Sequence, residues 1–389
     1  MRKFYFCLII LLATIGCKEK YDSPAVSPAT GYLVIEGVVN SGQGATTITL
    51  TRTTPLDNRT VQFEKGAKVT VEGEDKTVYP FTESGFGQYN ADNLKLKSNV
   101  KYRLNIQTSN GKTYQSDFVA VKNNPPIDSI NWVRNTEGVQ MYINTHDPQN
   151  NTRYYQWAFE EIWEFHSDFQ TFIKYEIKTS PTGIKTYAAI WRDITNPQYF
   201  DSTQYYCWKT KTSTDILIGT TAKLKEDVVK LPLAFIPKGS VKLNLLYSIH
   251  VKQYSLTSEG YAFLEIMKKN TEQTGSIFDA QPSGVVGNIH NVADATEPVI
   301  GYLTICPIQE KRIFIKTKEV PDWGYFSNCK EMTFRNTSNT IRDMAFNYAP
   351  TNVVPNLAPF PAIPSFYAAP LECVDCRLSG SNIKPSFWP

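Results

Sequence analysis

The sequence predicts a mainly β protein: an N-terminal immunoglobulin-like or transthyretin-like β-sandwich, then a larger β-rich domain with one packed helix. Three observations lead there. Aromatic residues make up 13% of the 389 residues, with 22 Tyr, 21 Phe and 7 Trp, and such side chains suit a pleated, half-buried surface. Short apolar/polar alternations punctuated by turn residues recur through 31–122, as in a sandwich. A capped helical period stands out at about 257–270. The length suits about two domains.

Within 31–122, Tyr32 to Val39 reads as the first strand, and Thr46 to Thr51 alternates apolar residues with threonine. Lys68 to Glu72 repeats that pattern. Lys101 to Gln107 places Tyr102, Leu104 and Ile106 on one face. Asn110-Gly111 predicts a two-residue type I′ hairpin into a returning strand, Thr113 to Val121. Asn123-Asn124-Pro125-Pro126 then breaks the pattern, and a second domain is expected over 127–389.

In Arg153 to His166, five of the six odd positions from 155 to 165 are aromatic, so period 2 wins over a helix. Glu161 is the exception. A carboxylate on that face must be paired, be neutralised or sit at a groove. Trp157, Glu161 and Trp163 are therefore the candidate ligand-facing residues, against a salt-bridged core Glu as the plainer alternative. Ser240 to Gln253 predicts another long strand, with Val241, Leu243, Leu245, Tyr247, Ile249 and Val251 packed and Lys242 and His250 on the wetter face. The helix at 257–270 has Thr257 to cap it and Phe263, Leu264, Ile266 and Met267 to pack. Val299 to Ile305 and Lys311 to Lys316 read as strands. Eight of the 23 prolines fall within 350–389. Proline removes ladder donors, so this segment is expected as extended loop, ordered against the second domain through its aromatic residues.

Residues 1–16 have a short basic start and an apolar run of about 12 residues, too short to span a bilayer core of about 20. They read as a secretory signal peptide. Gly16-Cys17 resembles a bacterial lipoprotein cleavage site, with Cys17 as the lipidation site. The alternative is a secreted protein with an incidental cysteine. Residues 17–30 read as a polar, Pro-containing tether. Net charge is +3, and removal of Arg2 and Lys3 leaves 38 basic against 37 acidic residues, so nothing favours nucleic acid.

Setting aside Cys7 and Cys17 leaves five of the 7 cysteines. Cys207, Cys329, Cys373 and Cys376 are expected to form disulfides that bridge the tail to the body, in a pairing left open, with Cys306 unpaired. The C-x-x-C at Cys373–Cys376 lies in Pro-rich surroundings that offer no helix N-terminus for a redox dithiol, and no second Cys or His pair at close spacing makes it half of a zinc site.

No H-E-x-x-H, G-x-x-x-x-G-K, G-x-S-x-G or D-x-D-x-D-G motif occurs. No catalytic, cofactor-binding or metal-binding residue is predicted. His146-Asp147-Pro148 suits a turn better than a general-base pair. A hydrolase using paired carboxylates would draw on Glu160, Glu161 or Glu164.

Several motifs together resemble one family: the lipidation site, Gly111-Lys112-Thr113-Tyr114, Pro126-Ile127-Asp128-Ser129-Ile130, Thr152 to Trp157 with Glu160-Glu161, and Tyr206-Cys207-Trp208-Lys209. Lys269 to Gln273 with Gly275 to Pro282, Glu372 to Leu378 and Lys384 to Pro389 complete the match. The chain resembles the DUF4249 family of Bacteroidota outer-membrane lipoproteins. The resemblance implies no catalytic residues and frequent encoding beside TonB-dependent receptors. The expected function is thus a lipid-anchored outer-membrane protein exposed at the cell surface, a non-enzymatic accessory or ligand-capture component. Its expected partners are the bilayer, through Cys17, and a TonB-dependent receptor. The alternatives are a surface hydrolase of sugars or peptides and a structural envelope component.

Overall fold

The computed structural model describes residues 31–55, 58, 60–272 and 286–389. The signal peptide 1–16, Cys17, the tether 17–30 and residues 273–282 of the Lys269–Pro282 motif lie outside the described residues. The protein is mainly β. In the first sandwich one sheet runs Leu33–Glu36, Ala45–Arg52, Gln88–Asp92, Thr82–Gly85, and the other runs Ile289–Asn291, Thr113–Ser116, Lys101–Gln107, Lys68–Gly73, Val78–Pro80. Leu33, Ile48, Leu50 and Tyr89 meet Val71, Tyr102, Leu104 and Ile106 in one core. Each such side chain contributes about 1.5–3 kcal/mol on burial.

At three places the chain departs from the strands and turn its pattern predicts. The strand expected from Tyr32 to Val39 breaks at Gly37, whose φ is +136° and where a Cβ would lie 2.4 Å from the Thr47 carbonyl oxygen. Of Asn110-Gly111 only Gly111 takes a positive φ, +85°. The ladder continues through Thr108 N–H to Lys112 O at 2.9 Å, so the loop is a three-residue turn with Gly111 in the left-handed position, not type I′. Of 299–305, only the end forms a strand, Ile305–Cys306, parallel to Val39–Asn40. Ile300 bonds to Leu33 and Ile35, and Ile289, Val299, Leu303 and Ile305 enter the first core. The chain therefore returns to the first sandwich long after residue 122.

A second pair of sheets shares another core. The three-stranded sheet runs Ile127–Arg134, Gly138–Asp147, Asp227–Pro237. The five-stranded sheet runs Tyr206–Thr212, Tyr154–His166, Leu246–Ser255, Gln309–Lys316, with Leu217–Thr220 also beside Tyr154–His166. Val139, Met141 and Ile143 face Tyr155, Trp157, Tyr247 and Ile249. The strand expected from Ser240 begins only at Leu246. Val241–Leu243 form a 3-10 turn capped by the Ser240 hydroxyl, which accepts from Lys242 N–H. The helix spans Ser258–Glu272. Thr257 Oγ1 accepts from Gly260 N–H at 3.0 Å, and Phe263 packs on Tyr302.

His146-Asp147-Pro148 leads into a buried turn. Asp147 accepts from the backbone N–H groups of Gln149, Asn151 and Thr152 and from the Thr152 hydroxyl, all at 2.9–3.0 Å. Burial acts to raise the Asp147 carboxyl, but these donors outweigh it and hold it below the usual carboxylate range.

The third unit joins the hairpin Ile173–Thr179/Lys185–Trp191 to the sheet Met332–Arg335, Ser365–Pro370, Tyr348–Val353, around Ile173, Ile341 and Phe366. The C-terminal segment 350–389 is thus ordered, but it is not all loop. Its strands accommodate proline because Pro350 sits at a register shift and Pro370 ends a strand. Two disulfides pin the segment: Cys207–Cys376, 169 residues apart, and Cys329–Cys373, 44 apart. Cys306 is free and buried, and burial pushes its thiol up to about 11. Trp388 is buried, donates its indole N–H to Glu164 Oε2 at 2.9 Å and meets Phe314 edge-on. The Arg312 guanidinium stacks on Phe387 at 3.9 Å.

Replacing Cys207 and Cys376 together with serine should lower stability by roughly 2–5 kcal/mol, the range for closing a long loop. Urea unfolding measures it, and an unchanged midpoint contradicts a structural role. Asp147 stabilises the fold above the unfolded-state value of about 4, and that contribution is lost as pH falls through its depressed folded-state value. Asp147→Asn should therefore flatten the acid limb of the stability profile. An acid limb as steep as wild type would exclude Asp147 as its source.

Candidate functional site

The thirteen-residue strand Tyr154–His166 sends its odd positions into the second core. Trp157 is 1% exposed, stacks on Tyr155, and donates its N–H to Gln253 Oε1 at 2.9 Å. Glu161 is 2% exposed. Its carboxylate accepts from Lys242 Nζ at 2.7 and 2.8 Å and from the Tyr247 hydroxyl at 2.8 Å. Burial first, then the Glu161 charge, push the Tyr247 hydroxyl well above its ordinary value. In a continuous strand Lys242 would share the outward face of His250. The 3-10 turn at Val241–Leu243 instead brings it over Glu161. The plainer alternative for Glu161, a salt-bridged core residue, is what the structure places there, and Trp157 is likewise enclosed.

Trp163 is also buried, 5% exposed, but it stands at the edge of the core. It lies directly opposite Lys209 on the neighbouring strand, and Phe165 lies opposite Cys207. Opposed residues of an antiparallel pair share a face, so an aromatic and a cationic side chain stand side by side where the core ends. Here a cleft of about 380 Å³ opens, walled by Trp163, Phe165 and Tyr325 and edged by Lys209, Asp168 and Glu372. The Cys207–Cys376 disulfide holds the C-terminal segment over it. Lys242 Nζ sits 5.2 Å from the centre of the Trp163 ring, a cation–π contact that fixes the wall. The Trp163 indole N–H is buried without an acceptor. The side chains of Lys209, Asp168 and Glu372 are exposed and make no hydrogen bond or ion pair with any described residue.

The remaining sequence candidates lie elsewhere. Glu160 and Glu164 point to the opposite face of the strand from Glu161, towards Arg312 at 3.3 Å and Trp388 Nε1 at 2.9 Å. Four residues of strand separate them by about 13 Å, beyond the roughly 5–10 Å of a glycosidase pair. His146 Nδ1 is 2.7 Å from Asp128 Oδ2 at a half-exposed position, and the hydrogen bond and charge of Asp128 raise its pKa. His250 pairs with Glu310 at 3.1 Å. Asp168 lies near Cys329 and Cys373, but both sulfurs are consumed in their disulfide and offer no thiolate. Cys373 and Cys376 bond to different partners, so the C-x-x-C is not a dithiol couple.

A second, mostly apolar cleft of about 310 Å³ lies between Val34–Val38 of the first sandwich and Phe263, Leu264 and Met267 of the helix. Periodicity signalled neither cleft. Lys209, Asp168, Tyr325 and Glu372 come together only through sheet pairing and a disulfide.

These features define a multi-sheet β protein with a disulfide-pinned C-terminal segment and an aromatic-walled surface cleft. Residues 19–312 match the family model described as a domain of unknown function, DUF4249, and the chain belongs to that family. The match ends within the strand Gln309–Lys316, so the motifs at 372–378 and 384–389 lie beyond it. No curated protein matches the chain.

Lys242→Met should destabilise the protein by about 3–5 kcal/mol, because it strands the Glu161 charge in the core. Adding Glu161→Gln should recover most of that loss in urea unfolding. Single and double variants of equal stability would rule out the pairing as the reason Glu161 is tolerated.

Proposed function

We propose that the protein is an outer-membrane lipoprotein, anchored through acylated Cys17 and exposed at the cell surface, which captures ligand as a non-enzymatic accessory of a TonB-dependent transporter. The observation that carries this reading is Gly16-Cys17 behind an apolar run too short to span a bilayer. Two or more acyl chains give stable attachment, where one gives only marginal binding. The aromatic-walled cleft supports ligand capture. The arrangement of carboxylates favours binding over hydrolysis: Glu161 is paired with Lys242 within the core, while Glu160 and Glu164 face away from it.

Cys17→Ala should move the protein from the membrane fraction to the soluble fraction and remove the acyl mass from the intact polypeptide. Tagged protein purified from outer membranes in mild detergent should bring a barrel protein with it. An intact mass without acyl chains overturns the anchoring, and recovery without any barrel protein overturns the transporter role.

A further inference from the structure

We infer that the Trp163 cleft binds a neutral saccharide, with the sugar's C–H face on the aromatic wall and its hydroxyls on Lys209, Asp168 and Glu372. The inference deepens the ligand-capture reading and rests on it for its biological purpose, but the binding itself requires neither the lipid nor the transporter. Four observations converge. The cavity, about 380 Å³, falls within the range of small-ligand pockets, about 300–1,000 Å³. Its walls are rings: Phe165 and Tyr325 are half-buried and present the open surface, and the largely buried Trp163 behind them is held from the core side by the Lys242–Glu161 pair, so the wall is formed before ligand arrives. Its rim carries three charged side chains with unused hydrogen-bonding capacity. Trp163 itself has an indole N–H with no acceptor, although most buried donors find one.

The pattern of charge selects among ligand classes. One lysine against two carboxylates makes no strong field of either sign, so the cleft suits neither a phosphate nor a polyamine. It offers three N–H donors on Lys209 and acceptor oxygens on Asp168 and Glu372. A hydroxyl is both donor and acceptor and can satisfy either kind. A polyhydroxylated ring with an apolar face therefore matches the whole set. An apolar ligand would leave the charged rim unused and belongs, if anywhere, in the cleft beside the helix. The Cys207–Cys376 bond carries the segment that places Glu372 over the strand bearing Trp163 and Lys209, so the cleft depends on an oxidised disulfide.

The test is a glycan array of neutral oligosaccharides probed with the full acylated protein in detergent micelles, followed by calorimetry with the best binder. At least one neutral oligosaccharide should bind. Lys209→Met and Glu372→Gln change exposed side chains and leave the core intact. Each should weaken binding about tenfold or more, the effect of losing one charge-assisted hydrogen bond. Trp163→Phe, which keeps a ring but removes the N–H, should also weaken it, and thermal melts confirm folding of each variant. Absence of binding to every neutral glycan, or equal affinity in the Lys209 and Glu372 variants, overturns the inference. Membrane fractionation and barrel co-purification of the same variants stay at wild-type levels, so loss of the site is distinguishable from failure of the anchoring and transporter reading.

Discussion

A carboxylate on the apolar face of the longest strand sets the terms for the second half of the molecule. Glu161 is forced inward by the same alternation that buries Tyr155, Trp157 and Trp163. An uncompensated charge there would cost several kcal/mol. The compensation comes from one short stretch, as Lys242 and Tyr247 both approach the carboxylate. For Lys242 to do so, the chain must leave strand geometry, and Val241–Leu243 forms a 3-10 turn. The same lysine then packs over the Trp163 ring. One electrostatic requirement thus determines where a strand begins and how rigidly an aromatic wall is held.

The C-terminal segment closes this sheet on both sides. Towards the cleft it is pinned by Cys207–Cys376. On the opposite face, Phe387 and Trp388 cover Arg312 and Phe314 and occupy the carboxylate of Glu164. Cross-links over 169 and 44 residues restrict the unfolded chain strongly, which suits a proline-rich segment with few ladder donors of its own. The family match stops at 312, so the closing segment lies beyond the matched region while its partners Glu164, Cys207 and Arg312 lie within it.

Local chemistry was legible and long-range pairing was not. Alternation in Lys101–Gln107 and Tyr154–His166 gave both strands and their buried faces, because period 2 is a property of adjacent residues. The helix was announced by Thr257 and its packing residues. The cysteines divided as their surroundings implied, with Cys306 left over in a buried strand. Nothing local announces that Ile289 and Ile305 complete a sandwich begun at Leu33, since their partners lie far away in the chain. Val241, Leu243 and Leu245 alternate as a strand would, and only the demand of Glu161 for a cation overrides that pattern. In the C-terminal segment the prolines point to loop, while Phe366 and Ala368 are residues that a sheet can bury. The cleft was half visible: Trp163 and its strand could be singled out, but Lys209, Asp168, Tyr325 and Glu372 reach it by register, loop and disulfide.

The pleat also bears on binding against turnover. General acid–base catalysis needs two groups converging on one bond, with at least one proton affinity tuned by desolvation. Successive strand residues diverge, so Glu160 and Glu161 cannot share a substrate, and each is occupied by a basic partner. The cleft's own acids, Asp168 and Glu372, stand exposed at its rim without an apolar enclosure around them. Acids so placed can accept hydroxyl hydrogen bonds, and the surface beside them is aromatic. An aromatic wall with exposed charged side chains around its edge supplies the two kinds of contact, stacking and hydrogen bonding, that the proposed ligand capture would use.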